Sequence, residues 1–202
     1  APRVVAVGLH RLRDLLREIA PSYRELARLQ ILDRGFDAAV DEIRAMHAEE
    51  PIDVIVAAGS NGAYLRQQLD IPVVLVRVGG FDVMRALARA RSISSRIALV
   101  THGDIPREVQ HFDELFGLGI ELRTYRTEED ARDCVRELKA RSIEVVVAPG
   151  LIVDLAEQAG MHGIFLYSED AVRETLDEAL ERVRLSRIEA AKRDRLNSVL
   201  AH

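Results

Sequence analysis

The chain has a single cysteine, Cys134, so no internal disulfide can form and a reducing cytoplasm is the expected setting. Long apolar runs are missing, and nothing approaches the ~18 residues of a membrane span. The start, APRVVAVGLHRLRD, is a short strand-like run entering a charged segment, not a signal peptide. Lysine is nearly absent. Only Lys139 and Lys192 occur among 28 basic residues, so an anion site here is expected to use guanidinium. There is no basic excess: the 28 Lys and Arg face 33 Asp and Glu, for a net charge of −5. That balance argues against this chain gripping nucleic acid by itself. No GxxxxGKS/T, no GxGxxG after a strand and no HExxH occurs. The histidines His10, His47, His102, His111, His162 and His202 show no ligand spacing, so neither metal nor cofactor is expected.

What is present fits a folded α/β chain. Its 202 residues, 48% apolar and 30% charged, can bury one large core or two small ones. Short β-branched runs alternate with amphipathic segments. Val4–Gly8, Leu29–Leu32, Asp53–Ala57 and Pro72–Val78 read as strands, separated by helical periodicity. After the polar stretch Arg91–Arg96 the cycle restarts, with strands expected at Ile97–Val100, Ile120–Tyr125, Ile143–Ala148 and Ile164–Tyr167. Strand–helix alternation with short loops means parallel sheets.

An internal repeat organises this pattern. At an offset of 91 residues, IDVIVAAG (Ile52–Gly59) aligns with IEVVVAPG (Ile143–Gly150), and PVVLV (Pro72–Val76) with GIFLY (Gly163–Tyr167). Two similar Rossmann-like lobes are expected: residues 1–92, with the last helix able to return to them, and residues 93–168. Residues 169–202 would form a C-terminal helix leaving the domain. Ligands of open α/β sheets bind at the carboxyl ends of the strands, so a cleft lined by those ends is the expected site.

The candidate residues follow from that placement. Ser60, Asn61 and Gly62 stand between a buried strand and a helix start, where small residues admit a ligand and free amides attract an anion. Ser60 or Asn61 can equally be a plain helix cap. Gly150 holds the matching position, but Leu151 and Ile152 have replaced the polar residues, so an anion would rest mainly on the first lobe. Arg11 and Arg77 follow strands and suit carboxylates, against the alternative of ordinary surface arginines. Thr101, Tyr125 and Tyr167 end strands of the second lobe and would line the cleft. Thr127 to Asp130 reads as a capping box, and Cys134 as a small core residue.

Three runs carry a family resemblance: DVIVAAGSNGAYL (Asp53–Leu65), TEEDARDCVRELKA (Thr127–Ala140) and PGLIVDLAEQAGMHGIFLYS (Pro149–Ser168). With them the chain, from about Val4 to Leu185, resembles the N-terminal sensory domain of the propionate catabolism operon regulators, the PrpR family. The resemblance implies two facing lobes of periplasmic-binding-protein type. It also implies a sigma-54-dependent activator whose ATPase and helix-turn-helix modules lie elsewhere in the polypeptide, reaching sigma-54 RNA polymerase and DNA through the full-length protein. A small polycarboxylate inducer, 2-methylcitrate, would relieve inhibition of the ATPase. Ser60, Asn61 and Gly62 fall in the family's GSNG motif. Such a fragment would not be an enzyme, would be cytoplasmic, and could form a homo-oligomer. The absence of an initiator Met at Ala1 and the charged helix Arg184–His202 fit a fragment boundary. Two other readings stand beside it. A racemase-type two-lobed enzyme would need a cysteine in each lobe, and a pure dimerisation module would use the last helix.

Overall fold

A computed structural model describes residues 1–200, apart from the side chains at positions 108, 112, 115 and 116. His202 lies outside the described residues. The first half runs β1 (Arg3–Val7), α1 (Arg11–Ile19), β2 (Arg28–Leu32), α2 (Phe36–Glu49), β3 (Val54–Ala57), α3 (Gly59–Gln68), β4 (Val73–Leu75) and α4 (Gly80–Ile93). The second runs β5 (Ile97–His102), α5 (Arg107–Phe116), β6 (Glu121–Tyr125), α6 (Glu128–Ala140), β7 (Val145–Ala148), α7 (Gly150–Gln158), β8 (His162–Phe165) and α8 (Glu169–Leu200). Two four-stranded parallel sheets result, ordered β2-β1-β3-β4 and β6-β5-β7-β8. This is an α/β fold of two lobes, as expected.

The central strands β1, β3, β5 and β7 are apolar runs because both their faces are covered. Val5, Val7, Ile55 and Ala57 meet Ala39, Val40 and Ile43 of α2 and Leu65 of α3. In the second sheet, Ala98, Val100, Val146 and Ala148 meet α6 and α7. On its other face Ile97, Leu99, Val145 and Val147 meet Val83, Ala86, Leu87 and Ala90 of α4. Pro21 sits in a 3-10 turn, Ala20–Tyr23, that ends α1. Thr127 and Asp130 form the expected capping box at the start of α6.

The repeat is visible in the registers. Val4 pairs with Val54 as Ile97 pairs with Val145, and Val5 pairs with Gln30 as Ala98 pairs with Glu121. The third pairing slips by one residue. Ile55 faces Val73, whereas its counterpart Val146 faces Gly163 rather than Ile164.

By contacts, the first unit comprises Ala1–Gly8, Arg13–Leu75 and the chain from Val172 onward. The second comprises Leu9–Leu12 and Val76–Ala171. The division therefore falls before α4, not at residue 92. The physical reason is the apolar stripe of α4, which is buried on the second sheet. From Val172, α8 belongs to the first unit, where Tyr23 donates its hydroxyl hydrogen to Asp177 Oδ1 at 2.8 Å.

Candidate functional site

In the first unit the chain leaves β1 toward β2 on one side and later fills β3 on the other. The strand order reverses there, which makes the carboxyl ends of β1 and β3 the switch point where ligands of such sheets bind. After Ala57 and Ala58 comes Gly59 with φ 59°, a left-handed turn that suits glycine. Ala58 occupies the cap of α3 and offers no side-chain acceptor. The amides of Gly59, Ser60 and Asn61 therefore have no side-chain cap, and Gly62 N–H begins the helical ladder at Ala58 O, 2.9 Å away. Ser60 is only 8% exposed, yet its hydroxyl has no hydrogen-bond partner among the described residues. No fully buried side-chain polar atom is unpaired there, so this hydroxyl keeps contact with solvent. A donor hydroxyl beside uncapped amides, at the positive end of a helix, suits a carboxylate or phosphate oxygen.

Its two neighbours serve the fold. Asn61 Oδ1 accepts the Phe36 N–H at 2.8 Å, which fixes a turn where Phe36 itself has φ 50°. Gly62 is glycine because α3 lies close on the sheet: a Cβ there would come within 2.6 Å of Leu75 Cδ2 and 3.1 Å of the Ala57 carbonyl carbon.

The second unit has its equivalent switch point between β5 and β7. Thr101 Oγ1 donates to Asp104 O at 3.3 Å and Gly103 N–H to Tyr125 O at 3.0 Å, so both hold the loop after β5. Tyr125 is buried, with its ring against His102 at 5.3 Å in an edge-on arrangement. Burial lowers the His102 pKa below its ordinary value, which keeps the ring neutral near pH 7. Pro149 caps α7 without a side-chain acceptor, and Gly150 follows. Phe165 lies 3.8 Å from where a Gly150 Cβ would stand, and Tyr167, also buried, meets Phe165 edge-on at 5.2 Å. The start of α7 is therefore walled by aromatic rings and, with Leu151 and Ile152, carries no polar side chain of its own.

The two arginines differ. Arg11 is bonded to Glu157 of α7, so its charge is already matched. Arg77 is exposed, on the segment between β4 and α4, with no hydrogen bond or ion pair among the described residues. The structure thus brings Ser60, Asn61 and Gly62 together at one helix start, and Gly150 near Tyr167 through Phe165. It does not join Arg77 to either group. Phe165 was missed in the sequence because nothing local distinguishes it from any other strand aromatic. A cavity of about 380 Å³ lined by Arg44, His47, Gln68, Asp70 and Pro72 opens at the amino end of β4, and no candidate residue lines it. Among the described residues no group of His, Cys, Asp and Glu is placed to hold a metal ion, and no helix is long and apolar enough to cross a membrane.

Known proteins match this chain at two levels. A family model described as propionate catabolism activator matches residues 23–189. The crystal structure of an NtrC family transcriptional regulator from Clostridium acetobutylicum has the same fold, with a TM-score of 0.76 at 20% identity. That match covers 92% of this chain and 98% of that one. An ABC transporter periplasmic solute-binding protein from Actinobacillus succinogenes 130z, solved with bound D-allose, is more distant. Its TM-score is 0.43 at 13% identity, over 91% of this chain and 92% of that one.

Proposed function

From the premise that the chain belongs to the propionate catabolism activator family, we propose that it is the effector-sensing regulatory domain of such an activator. It binds a small polycarboxylate, with 2-methylcitrate as the first candidate. The observation that carries this reading is the start of α3, where the Ser60 hydroxyl and the uncapped amides of Gly59, Ser60 and Asn61 converge at the carboxyl edge of the sheet. One carboxylate accepts from these donors, and the helix dipole adds to the attraction. Arg77 is a proposed anion contact of the second unit, where Thr101, Gly150, Tyr125 and Tyr167 belong to the corresponding strand ends. Arg11 ranks below Arg77 because Glu157 already neutralises it.

In this reading the domain sits in the cytoplasm ahead of ATPase and helix-turn-helix modules, and the ligand relieves inhibition of the ATPase. A ligand shifts a switch only by its differential affinity for the two states. Going from mostly off to mostly on takes about 5.5 kcal/mol. Two or three charge-assisted hydrogen bonds at ~1.5–3 kcal/mol each reach that. The reading is not enzymatic. A racemase-type alternative needs an acid–base group at each equivalent loop, where Ser60 and Leu151 stand. The one cysteine is buried on α6, with its thiol pushed up to about 11 by desolvation.

Calorimetry with 2-methylcitrate, citrate and propionate tests the proposal. A tricarboxylate at a hundredfold its Kd is expected to stabilise the protein by about 2.7 kcal/mol, raising Tm by roughly 5–10 °C for a chain of this size. Ser60→Leu should abolish the response and Leu151→Ser should leave it. No response to either tricarboxylate overturns the ligand class.

A further inference from the structure

At the amino edge of the first sheet, opposite the edge that carries Ser60, lies the cavity of about 380 Å³ beside β4. Segments of the first unit wall it: the last turns of α2, Ile52 ahead of β3, and the turn from α3 into β4. Arg44 and His47 stand at i, i+3 spacing on α2 and share a face. Arg44 Nη2 donates to Gln68 O at 3.0 Å, a carbonyl in the last turn of α3 that the helix leaves open. That bond pins the guanidinium beside the cavity, while its charge meets no carboxylate among the described residues. His47 Nδ1 accepts the Ile52 N–H at 2.9 Å, so the neutral ring carries its hydrogen on Nε2, a second donor. Asp70 lines the same cavity, exposed, with no hydrogen bond or ion pair among the described residues.

Opposite charges within reach of each other close into pairs elsewhere in this unit, as Arg13 does with Asp33 and Arg28 with Glu50. Arg44 and Asp70 share a cavity and do not pair. A cation and an anion held apart in this way complement a molecule that carries both charges. A simple anion would use Arg44 and His47 but meet repulsion from Asp70. The rest of the wall is apolar, with Ile52 and Ile71 buried and Leu69 half-buried. The volume is near the lower end for ligand pockets, with room for an amino acid of leucine size and a few waters. We infer that this cavity is a second ligand site, which takes a free apolar α-amino acid. The carboxylate lies on Arg44 and the His47 Nε2–H, the ammonium on Asp70, and the side chain against Ile52, Leu69 and Ile71. None of the proposed polycarboxylate contacts lines it, so it stands independently of that reading.

The polar contacts are exposed, so binding is weak, with Kd on the order of 1 mM. L-Leucine is the probe, titrated into the isotope-labelled whole chain and followed by amide shifts. Saturable shifts are expected at His47, Ile52, Gln68 and Asp70. Isocaproate, which is leucine without its ammonium, and isoamylamine, which is leucine without its carboxylate, should each bind about fivefold more weakly. Asp70→Asn should weaken L-leucine by about the same factor without weakening isocaproate, whereas Arg44→Gln should weaken both. Both substitutions are at exposed positions, and unchanged amide shifts elsewhere verify that the variants keep the fold. The inference is overturned if these amides show no saturable shift up to ~10 mM L-leucine, if isocaproate binds as tightly as L-leucine, or if Asp70→Asn binds L-leucine like the parent.

Discussion

The two units solve one geometric problem in opposite ways. Both bring the helix after the third strand tightly onto the fourth strand. In the first unit the helix yields: Gly62 on α3 makes room for Leu75 of β4 and the Ala57 backbone. In the second the strand yields: Gly163 on β8 makes room for Val153 of α7, whose Cγ1 would stand 2.6 Å from a Cβ at 163. The same division of labour recurs elsewhere. Arg3 is buried at the head of β1, whereas Arg96, its counterpart before β5, is exposed. Ser60 opens α3, whereas Leu151 stands in the same place on α7. Topology fixes the close approach and the strand order. It leaves open which chain segment contributes the small residue and which loop carries polar chemistry, so repeated folds can hold one anion site and not two.

The sharpest break of this symmetry is expected at the two arginines. Arg3 donates from Nε to Gln30 Oε1 at 3.1 Å and from Nη1 to the carbonyls of Met46 and Glu50. It thereby satisfies the Glu50 carbonyl just past the end of α2 and adds a second bond to the Met46 carbonyl, which already accepts the Glu50 N–H. Arg3→Ala strands the Glu50 carbonyl and should cost about 2–3 kcal/mol. Arg96→Ala should stay within about 0.5 kcal/mol. Denaturant midpoints of the two variants measure the difference, and equal losses would show that burial of Arg3 is not what holds the end of α2.

The glycines come next. Gly163→Ala should destabilise by about 1–3 kcal/mol, because β8 gains nothing from the methyl and Val153 O stands 3.1 Å from it. Gly62→Ala meets a similar clash, but a helical alanine returns about 1 kcal/mol, so the net loss is smaller. Val153→Ala should partly rescue Gly163→Ala by removing Cγ1, and should not rescue Gly62→Ala. A double-mutant cycle reads the coupling, and additive losses would break the proposed contact.

These contrasts mark what local sequence carries. Strand positions and the repeat were legible because buried parallel strands must be continuous apolar runs, and the same runs recur at one offset. The capping box was legible because Thr127 and Asp130 meet within one helical turn. Ownership of α4 was not, since the stripe Val83, Ala86, Leu87 and Ala90 announces a buried face without naming the sheet that buries it. Arg11 meets Glu157 across 146 positions and Asn61 meets Phe36 across 25, distances over which no pattern in the chain signals a partner. Gly62 falls in a stretch whose sequence reads as a ligand-binding loop, and only the space around it on α3 reveals a packing role. Tyr125 ends β6 as expected, whereas β8 stops at Phe165 and Tyr167 lies two residues beyond it; both tyrosines are buried.

The smallest expected effect separates the units by pH. His102, in the second unit, has its pKa lowered from the ordinary 6.5, chiefly by burial. The unfolded chain therefore binds this proton more readily than the folded one. The stabilisation tied to the neutral ring is complete above about 6.5 and is lost as pH falls below it. Alkaline signs run the other way. Desolvation raises Cys134 from 9.0 to about 11 in the second unit. Tyr23 rises from 10.0 to about 12 in the first, through burial and then its bond to Asp177. Both stabilise only while protonated, intact below the unfolded values and lost as pH climbs through the folded ones. The second unit should therefore loosen first at both extremes. Amide exchange resolved by segment, at about pH 5, 7 and 10.5, measures this. His102→Phe keeps a ring against Tyr125 and should remove the added acid sensitivity of β5 and β6 while leaving β1 and β3 unchanged. If the variant and the parent lose protection in β5 equally between pH 7 and 5, the histidine is not the source of the asymmetry.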